Sequence, residues 1–462
     1  MTSWSTVAGP ACSSIHPRRT DLHALTWDIS MNANLDAYWM PFTANRQFKN
    51  NPRMLASAEG MYYVTPDGRR VLDATSGLWC CNAGHGRKEI AGAIARQAAE
   101  MDYAPSYQMG HPLAFELAER LAELTPGDLN HVFFTNSGSE AIDTAMKLAL
   151  AYHHSRGEAR GLFVGREKGY HGTGFGGMSV GGMPNNKKQF GKGVPAVHLP
   201  HTMRPDMRFS RGLPDQGAEL ADALDSIVAE HGAENIAAVV VEPVPGSAGV
   251  IIPPRNYLRR LRDNCDKHGL LLIFDEVITG FGRLGSTFAG YEFDVVPDIM
   301  TIAKGVTNGA VPMGAAIASG QIHDSIVSGP DQIELFHGYT YSGHPLAAAA
   351  AMATLDVYRD EAVFDNVRSL RDTFEDCAHE LTNCRNVIDI RNYGFMAAVE
   401  LAPDAEAPGR RGMEVLNKCF FDEDLMVRMS ADIIAIAPPL VINEEQIRHV
   451  FKTLGNVINT VD

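Results

Sequence analysis

The stretch LLLIFDEVITGFGR (residues 270–283), followed by PDIMTIAKGVTNG (residues 297–309), decides how this chain is read. An apolar run of strand length ends in Asp275. Twenty-nine positions later Lys304 follows a second apolar run, among small and uncharged neighbours. Most lysines after a strand are solvated, and an Asp275-Glu276 pair alone also suits a helix cap or a two-carboxylate metal site. No histidine stands at ligand spacing around the pair, which makes metal the lesser reading. An acid at a buried strand end and a desolvated lysine suit one further job. The amine, its pKa lowered, bonds a carbonyl cofactor, and the acid keeps that cofactor's ring nitrogen protonated. Val277 has the side-chain parity of Asp275 and is placed to pack under such a ring.

Working outward, several short apolar runs repeat the pattern of a strand closed by a turn or a polar residue: Val132–Thr135, Leu162–Val164 and Ala238–Val241. They alternate with helical stripes such as Leu117, Leu121 and Leu124. Strands buried on both faces with helical crossovers predict an α/β fold with a mostly parallel sheet. From residue 346 helices dominate, and Val387–Ile390, Met396–Glu400 and Ile433–Ile436 predict strands of a smaller α+β domain. Met61–Val64 and Val71-Leu72 flank a turn at Pro66-Asp67-Gly68, residues 200–216 read as a surface excursion, and 402–412 as a polar loop. Residues 1–30 read as a draped N-terminal arm. The expected division is 1–75 (arm and part of the small domain), 76–345 (large domain) and 346–462 (small domain).

At 462 residues the chain exceeds one simple core. A formal charge of −15 argues against general nucleic-acid or anionic-membrane binding. Seven cysteines without CxxC spacing are no disulfide framework and fit a reducing, cytoplasmic setting. No run is long enough to span a bilayer.

Four further segments carry chemistry. TNSGSEA (135–141) joins a strand to a helix, and Ser137, Gly138 and Ser139 offer a phosphate cradle or, more plainly, an N-cap. EKGYHGTGFGG (167–177) matches the dinucleotide glycine spacing, yet the glycines follow Tyr170-His171 rather than a strand and no clear helix is expected after them. A loop that lays Tyr170 over a flat ring is the better reading. VVVEPVPGSAG (239–249) sets Glu242 at a strand end. LMVRMSADIIAIAPPL (425–440) sets Arg428 among apolar residues, where it needs an anion: a substrate carboxylate, or Glu242 when none is bound.

Together with YWMPFTANRQF (38–48), ATSGLWCCNAGHG (74–86) and HGYTYSGHP (337–345), these segments resemble the class III aminotransferases. The likeness runs from about residue 34 onward and is nearest the ω-amino acid–pyruvate branch. It implies fold type I of the pyridoxal-phosphate (PLP) enzymes, the aspartate-aminotransferase-like fold. It also implies a PLP-dependent transfer of an amino group from an ω-amino acid such as β-alanine, or a related amine, to pyruvate. A taurine–pyruvate or broad amine–pyruvate enzyme is the nearest alternative. A non-catalytic scaffold of the same fold should lack the lysine or the aspartate, and both are present.

Residue by residue, the resemblance implies that Lys304 binds PLP covalently and Asp275 pairs with the ring nitrogen. Val277 and Tyr170 would cover the two ring faces, and Ser137, Gly138, Ser139, His171 and Glu242 would complete the cofactor site. Thr340 would reach the phosphate from a neighbouring subunit, making a homodimer and possible tetramers the expected assemblies. Trp79, Tyr170 and Arg428 would contact substrate. The run after Arg428 lacks the glycine of the family pattern. Cys80-Cys81 reads as packing rather than redox chemistry.

Overall fold

Asp275 and Lys304 come together because the two strands that carry them are neighbours. In the computed structural model, which describes residues 34–191 and 193–462, Leu271–Asp275 lies parallel to Ile299–Ala303. Thr301 is the register partner of Asp275, so Lys304 begins the turn three residues beyond it. At ~3.3 Å per residue both groups leave the sheet at the same edge.

The sheet around them has eight strands. Its order is Leu129–Thr135, Gly314–Ser319, Ile299–Ala303, Leu271–Asp275, Ile236–Val241 and Leu162–Glu167, with Gly181–Gly182 and Ala196–Leu199 both pairing to the last. Gly314–Ser319 runs against its two neighbours and every other pairing is parallel. Alternate side chains bury against opposite layers. Val240 and Ile273 meet Ile142, Ala145 and Ala149 of the helix Gly138–Ser155. Val239, Val241, Leu272 and Phe274 meet Tyr257, Leu258 and Leu261 of the helix Tyr257–His268. Helices thus cover both faces, which is why these strands read as unbroken apolar runs rather than alternating ones.

A second, antiparallel sheet runs Val387–Tyr393, Met396–Leu401, Ile433–Ile436 and Arg428–Ser430. Its helices are Val363–His379, Arg410–Asp422 and Glu444–Ile458, the last opened by a reciprocal Asn443/Gln446 cap. The polar loop therefore ends at 409, where the helix begins, rather than at 412. In a third sheet Arg70–Asp73 pairs in parallel with Leu425–Met426, which binds the early chain to the C-terminal part. Residues 55–462 form one compact unit. Within the preceding segment, Asn34 caps a short turn over Leu35–Ala37, and Arg53 lies over the ring of Phe48. The arm expected over residues 1–30 lies outside the described residues. Among the described residues no helix is long and apolar enough to cross a membrane.

Candidate active site

In an open α/β sheet, ligands bind beyond the carboxyl ends of the parallel strands. Here those ends lead into the phosphate-type turn after Thr135, Tyr170-His171 after Glu167, Glu242 after Val241, Asp275, and Lys304 after Ala303. Lys304 takes a left-handed φ of 50°, a conformation a non-glycine residue adopts only under tertiary constraint. Burial lowers its pKa, opposed by the negative charge of Cys80, Asp275 and Glu242. Among the described residues its amine makes no hydrogen bond or ion pair. A desolvated amine that makes no ion pair with those groups is poised to be nucleophilic.

Asp275 is buried. One of its oxygens lies 2.8 Å from His171 Nδ1, and the other accepts from the Val277 N–H at 3.1 Å. The opposite ring nitrogen of His171 is buried with no partner among the described residues. Glu276 leaves the strand the other way. It accepts from Thr279 Oγ1 at 2.6 Å and from the Ala289 and Gly290 N–H groups at 2.9 Å, and burial pushes it up to about 7. The two carboxylates therefore do not converge as a metal pair, because successive strand side chains face opposite sides.

The Ser137 hydroxyl caps the helix, accepting from the Glu140 N–H at 3.2 Å. Ser139 Oγ accepts from the Thr173 N–H at 3.0 Å. Among the described residues the Gly138 and Ser139 N–H groups have no acceptor, and they open an 18-residue helix. That is the geometry and dipole of an anion site. Gly138 lies against Val277: a Cβ at 138 would stand 2.9 Å from Val277 Cγ1. A short helix, Phe175–Val180, does follow the glycine loop, contrary to expectation, and it stops after six residues at Gly181. Asp143 holds it by accepting from the Gly177 N–H at 2.9 Å.

Glu242, pushed up to about 7 by burial, accepts from the Tyr170 N–H at 2.8 Å and the Gly246 N–H at 3.3 Å. It is not ion-paired with Arg428. The fully buried Arg166 fixes it from behind by donating to the Glu242 carbonyl at 2.6 Å. Arg428 opens the strand Arg428–Ser430 and is half-buried. Burial lowers its pKa, and its charge acts on Tyr170 and Lys304. Among the described residues it has no counter-ion. Ala431 takes a left-handed φ of 52° in the following turn, and Asp432 clamps that turn by accepting from the Gly409 and Gly412 N–H groups. That clamp offsets the ~1–2 kcal/mol which an L-residue costs there.

Trp79 is buried with Val244, Ile278 and Ala437, and its indole N–H has no partner among the described residues. Asp73 shapes its loop by accepting from the N–H groups of Thr75 and Gly77, at 2.8 and 2.7 Å. Arg283, buried without a carboxylate partner among the described residues and lowered by burial to about 10, donates to Ser76 Oγ, Asn82 Oδ1 and the Pro438 carbonyl. Thr340 is exposed, and its side chain makes no hydrogen bond within the chain among the described residues. Sequence reading passed over Asp73, Arg166, Arg283 and the approach of Cys80 to Lys304. Only Asp73 carried a local signal, an Asp ahead of Thr-Ser-Gly.

This arrangement fits a flat, phosphorylated, carbonyl-bearing cofactor. It offers an unpartnered amine, an acid backed by an imidazole, free N–H groups at a helix start, and a glycine with no room for a side chain. The chain matches the family model Aminotransferase class-III over residues 43–458. It is 57% identical to an omega-aminotransferase of Caulobacter vibrioides, covering 93% of this chain and 98% of that one. Against a beta-alanine–pyruvate aminotransferase of Pseudomonas aeruginosa the identity is 47%, over 94% and 98%. An amine transaminase from an uncultivated Pseudomonas species, solved in its PLP-bound form, superposes with a TM-score of 0.86 at 33% identity, covering 92% of this chain and 99% of that one. The strand order, the site at the strand ends and these matches agree: the chain belongs to the class-III aminotransferases, enzymes of PLP fold type I.

Proposed function

We propose that this enzyme moves the amino group of an ω-amino acid such as β-alanine, or of a related amine, to pyruvate, releasing alanine. The observation that carries the reading is an arginine, Arg428, half-buried without a counter-ion among the described residues and in the same electrostatic cluster as Lys304 and Asp275. A planar guanidinium there suits the carboxylate of a small oxo acid. The names of the two relatives above point to the same chemistry.

Bound PLP supplies an aldehyde that condenses with amines and a ring that withdraws electrons from the attached carbon. Lys304 would hold the cofactor's carbonyl carbon and, as a free amine, would move a proton at the substrate's reacting carbon; burial lowers its pKa, which makes the free base available. Asp275, oriented by His171, would pair with the ring nitrogen. Val277 and Tyr170 would bound the ring, and the Gly138 and Ser139 N–H groups would hold the phosphate. Ser137 contributes by fixing the helix start. Trp79 bounds the substrate pocket, Arg428 binds its carboxylate, and Glu242 positions Tyr170.

The active unit is proposed to be a homodimer. Tyr107, Met109, Phe115, Phe336 and Tyr341 are exposed around the loop that carries Thr340, and large exposed apolar groups in one region suit a protein partner. A second copy would bring Thr340 to the neighbouring phosphate site. Residues 76–345 are assigned to the cofactor-binding domain, and 1–75 with 346–462 to the arm and small domain; the pairing of Arg70–Asp73 with Leu425–Met426 supports this. Six free thiols among the described residues suit a cytoplasmic setting.

A half-reaction scan tests the substrate reading. β-Alanine, taurine, 4-aminobutyrate and an arylalkylamine are mixed with the PLP form while visible absorbance is followed. The product form is then challenged with pyruvate or 2-oxoglutarate. Recovery with pyruvate alone is expected; equal recovery with 2-oxoglutarate rejects the assigned acceptor. Lys304→Ala should abolish turnover, since positioned proton transfer is worth on the order of 10²–10⁴ in rate. Near-normal transamination by that variant would reject the catalytic assignment.

A further inference from the structure

Two adjacent thiols, Cys80 and Cys81, stand at the catalytic lysine without a part in the amino transfer. Both are half-buried rather than sealed. Their sulfurs converge: a Cβ placed on Gly309 would lie 3.4 Å from each, and one on Gly77 3.9 and 3.6 Å from them. Their amides are pinned to one acceptor, the Ser76 carbonyl, at 2.9 and 3.1 Å. Gly309 in turn follows the turn that Lys304 opens and donates to the Lys304 carbonyl at 3.2 Å. The pair therefore touches both loops of the site.

The two sulfurs are not equivalent. The neighbouring Cys81 thiol is the main influence on Cys80, and with the Leu78 backbone it holds Cys80 below the usual thiol range against the effect of burial. Cys81 is pushed up as the proton donor of the pair. The other described cysteines all move the other way: burial pushes Cys265 and Cys419 up to about 12, and raises Cys377 and Cys384 as well. A reactive, reachable thiolate beside a resolving thiol is the arrangement that oxidants select.

We infer that Cys80 and Cys81 form a peroxide-sensitive dithiol that switches this enzyme off reversibly at Lys304. The Cys80 thiolate attacks one oxygen of hydrogen peroxide. An S–O bond forms, the O–O bond breaks, and hydroxide leaves to take a proton as water. Cys81 sulfur then attacks the Cys80 sulfenic acid, forming S–S and breaking S–O. A second water leaves with the thiol's proton. Two thiols are oxidised by two electrons, and one peroxide is reduced to two waters. Neighbouring Cα atoms are ~3.8 Å apart, short of the usual disulfide span of about 4.4–6.8 Å, so the ring is strained and readily reduced. Closing it disturbs the anchored 79–82 backbone beside Trp79 and removes the thiolate from Lys304.

The test uses holoenzyme treated with graded hydrogen peroxide, then alkylated and mapped by peptide mass spectrometry. Thiols 80 and 81 should be lost together before Cys12 or Cys384, with a mass two hydrogens lower. Activity should fall in step and return with dithiothreitol. Cys81→Ser should stop at a sulfenic acid on Cys80 that dimedone traps. Cys80→Ser should leave Cys81 oxidising about tenfold or more slowly than the wild-type pair. Each variant is normalised to its own untreated activity. Earlier oxidation of Cys12 or Cys384, a disulfide without loss of activity, or a Cys80→Ser/Cys81→Ser protein inactivated at the wild-type rate would each overturn the inference. The mapping does not depend on which amine is the substrate.

Discussion

Arg428 is the residue on which substrate recognition turns. Its guanidinium has no counter-ion among the described residues, so an incoming carboxylate displaces no protein partner. Two charge-assisted hydrogen bonds at about 1.5 kcal/mol each make Arg428→Ala cost roughly 10² in kcat/KM for pyruvate. An arylalkylamine donor should lose far less, and equal losses in the two half-reactions would count against the assignment. The sequence pairs Arg428 with Glu242, but the folded chain turns Glu242 to the Tyr170 and Gly246 N–H groups. Glu242 still matters through charge. Burial raises it to about 7, so it is neutral below that pH and an anion above it. Pyruvate KM should therefore rise as pH climbs through 7, with Glu242→Gln flattening the rise. A Glu242→Gln profile that matches wild type would show that another group titrates.

At the scale of elements, the start of the helix Gly138–Ser155 sits between the ring site and the phosphate site. Gly138 has an ordinary backbone, so its need is for space rather than for φ. A methyl there meets Val277 Cγ1 at 2.9 Å. Overpacking of this kind costs about 1–3 kcal/mol, so Gly138→Ala should weaken PLP retention roughly tenfold. Gly138→Ala with Val277→Ala should recover most of it, as measured by cofactor dissociation; no recovery would place the fault in the phosphate contact itself. The helix and the strands were readable from TNSGSEA and the apolar runs because their signals are local. The short helix Phe175–Val180 was not, because glycines 174, 176 and 177 mask helical propensity. Asp143 supplies from another element what that segment lacks.

At the scale of the whole molecule, the exposed apolar groups around Thr340 ask for a partner. Phe336 is 90% exposed, a costly state for so large an apolar side chain unless something covers it. Phe336→Asp should shift the protein from dimer to monomer in size-exclusion chromatography and lower PLP retention with it; an unchanged elution volume would remove this face from the interface. The sequence by itself determined the α/β class, the strand ends that bear Asp275 and Lys304, and the family likeness, since periodicity and short motifs are written in neighbouring residues. Only the tertiary structure decided how the distant pieces meet. It set His171 on Asp275 across 104 positions, turned Glu276 away from Asp275, and ran Arg283 from Ser76 to Pro438. It also brought Cys80 beside Lys304. Such contacts follow from sheet order and packing, which no local window of sequence contains, and they are what turn an acid and a lysine into a site.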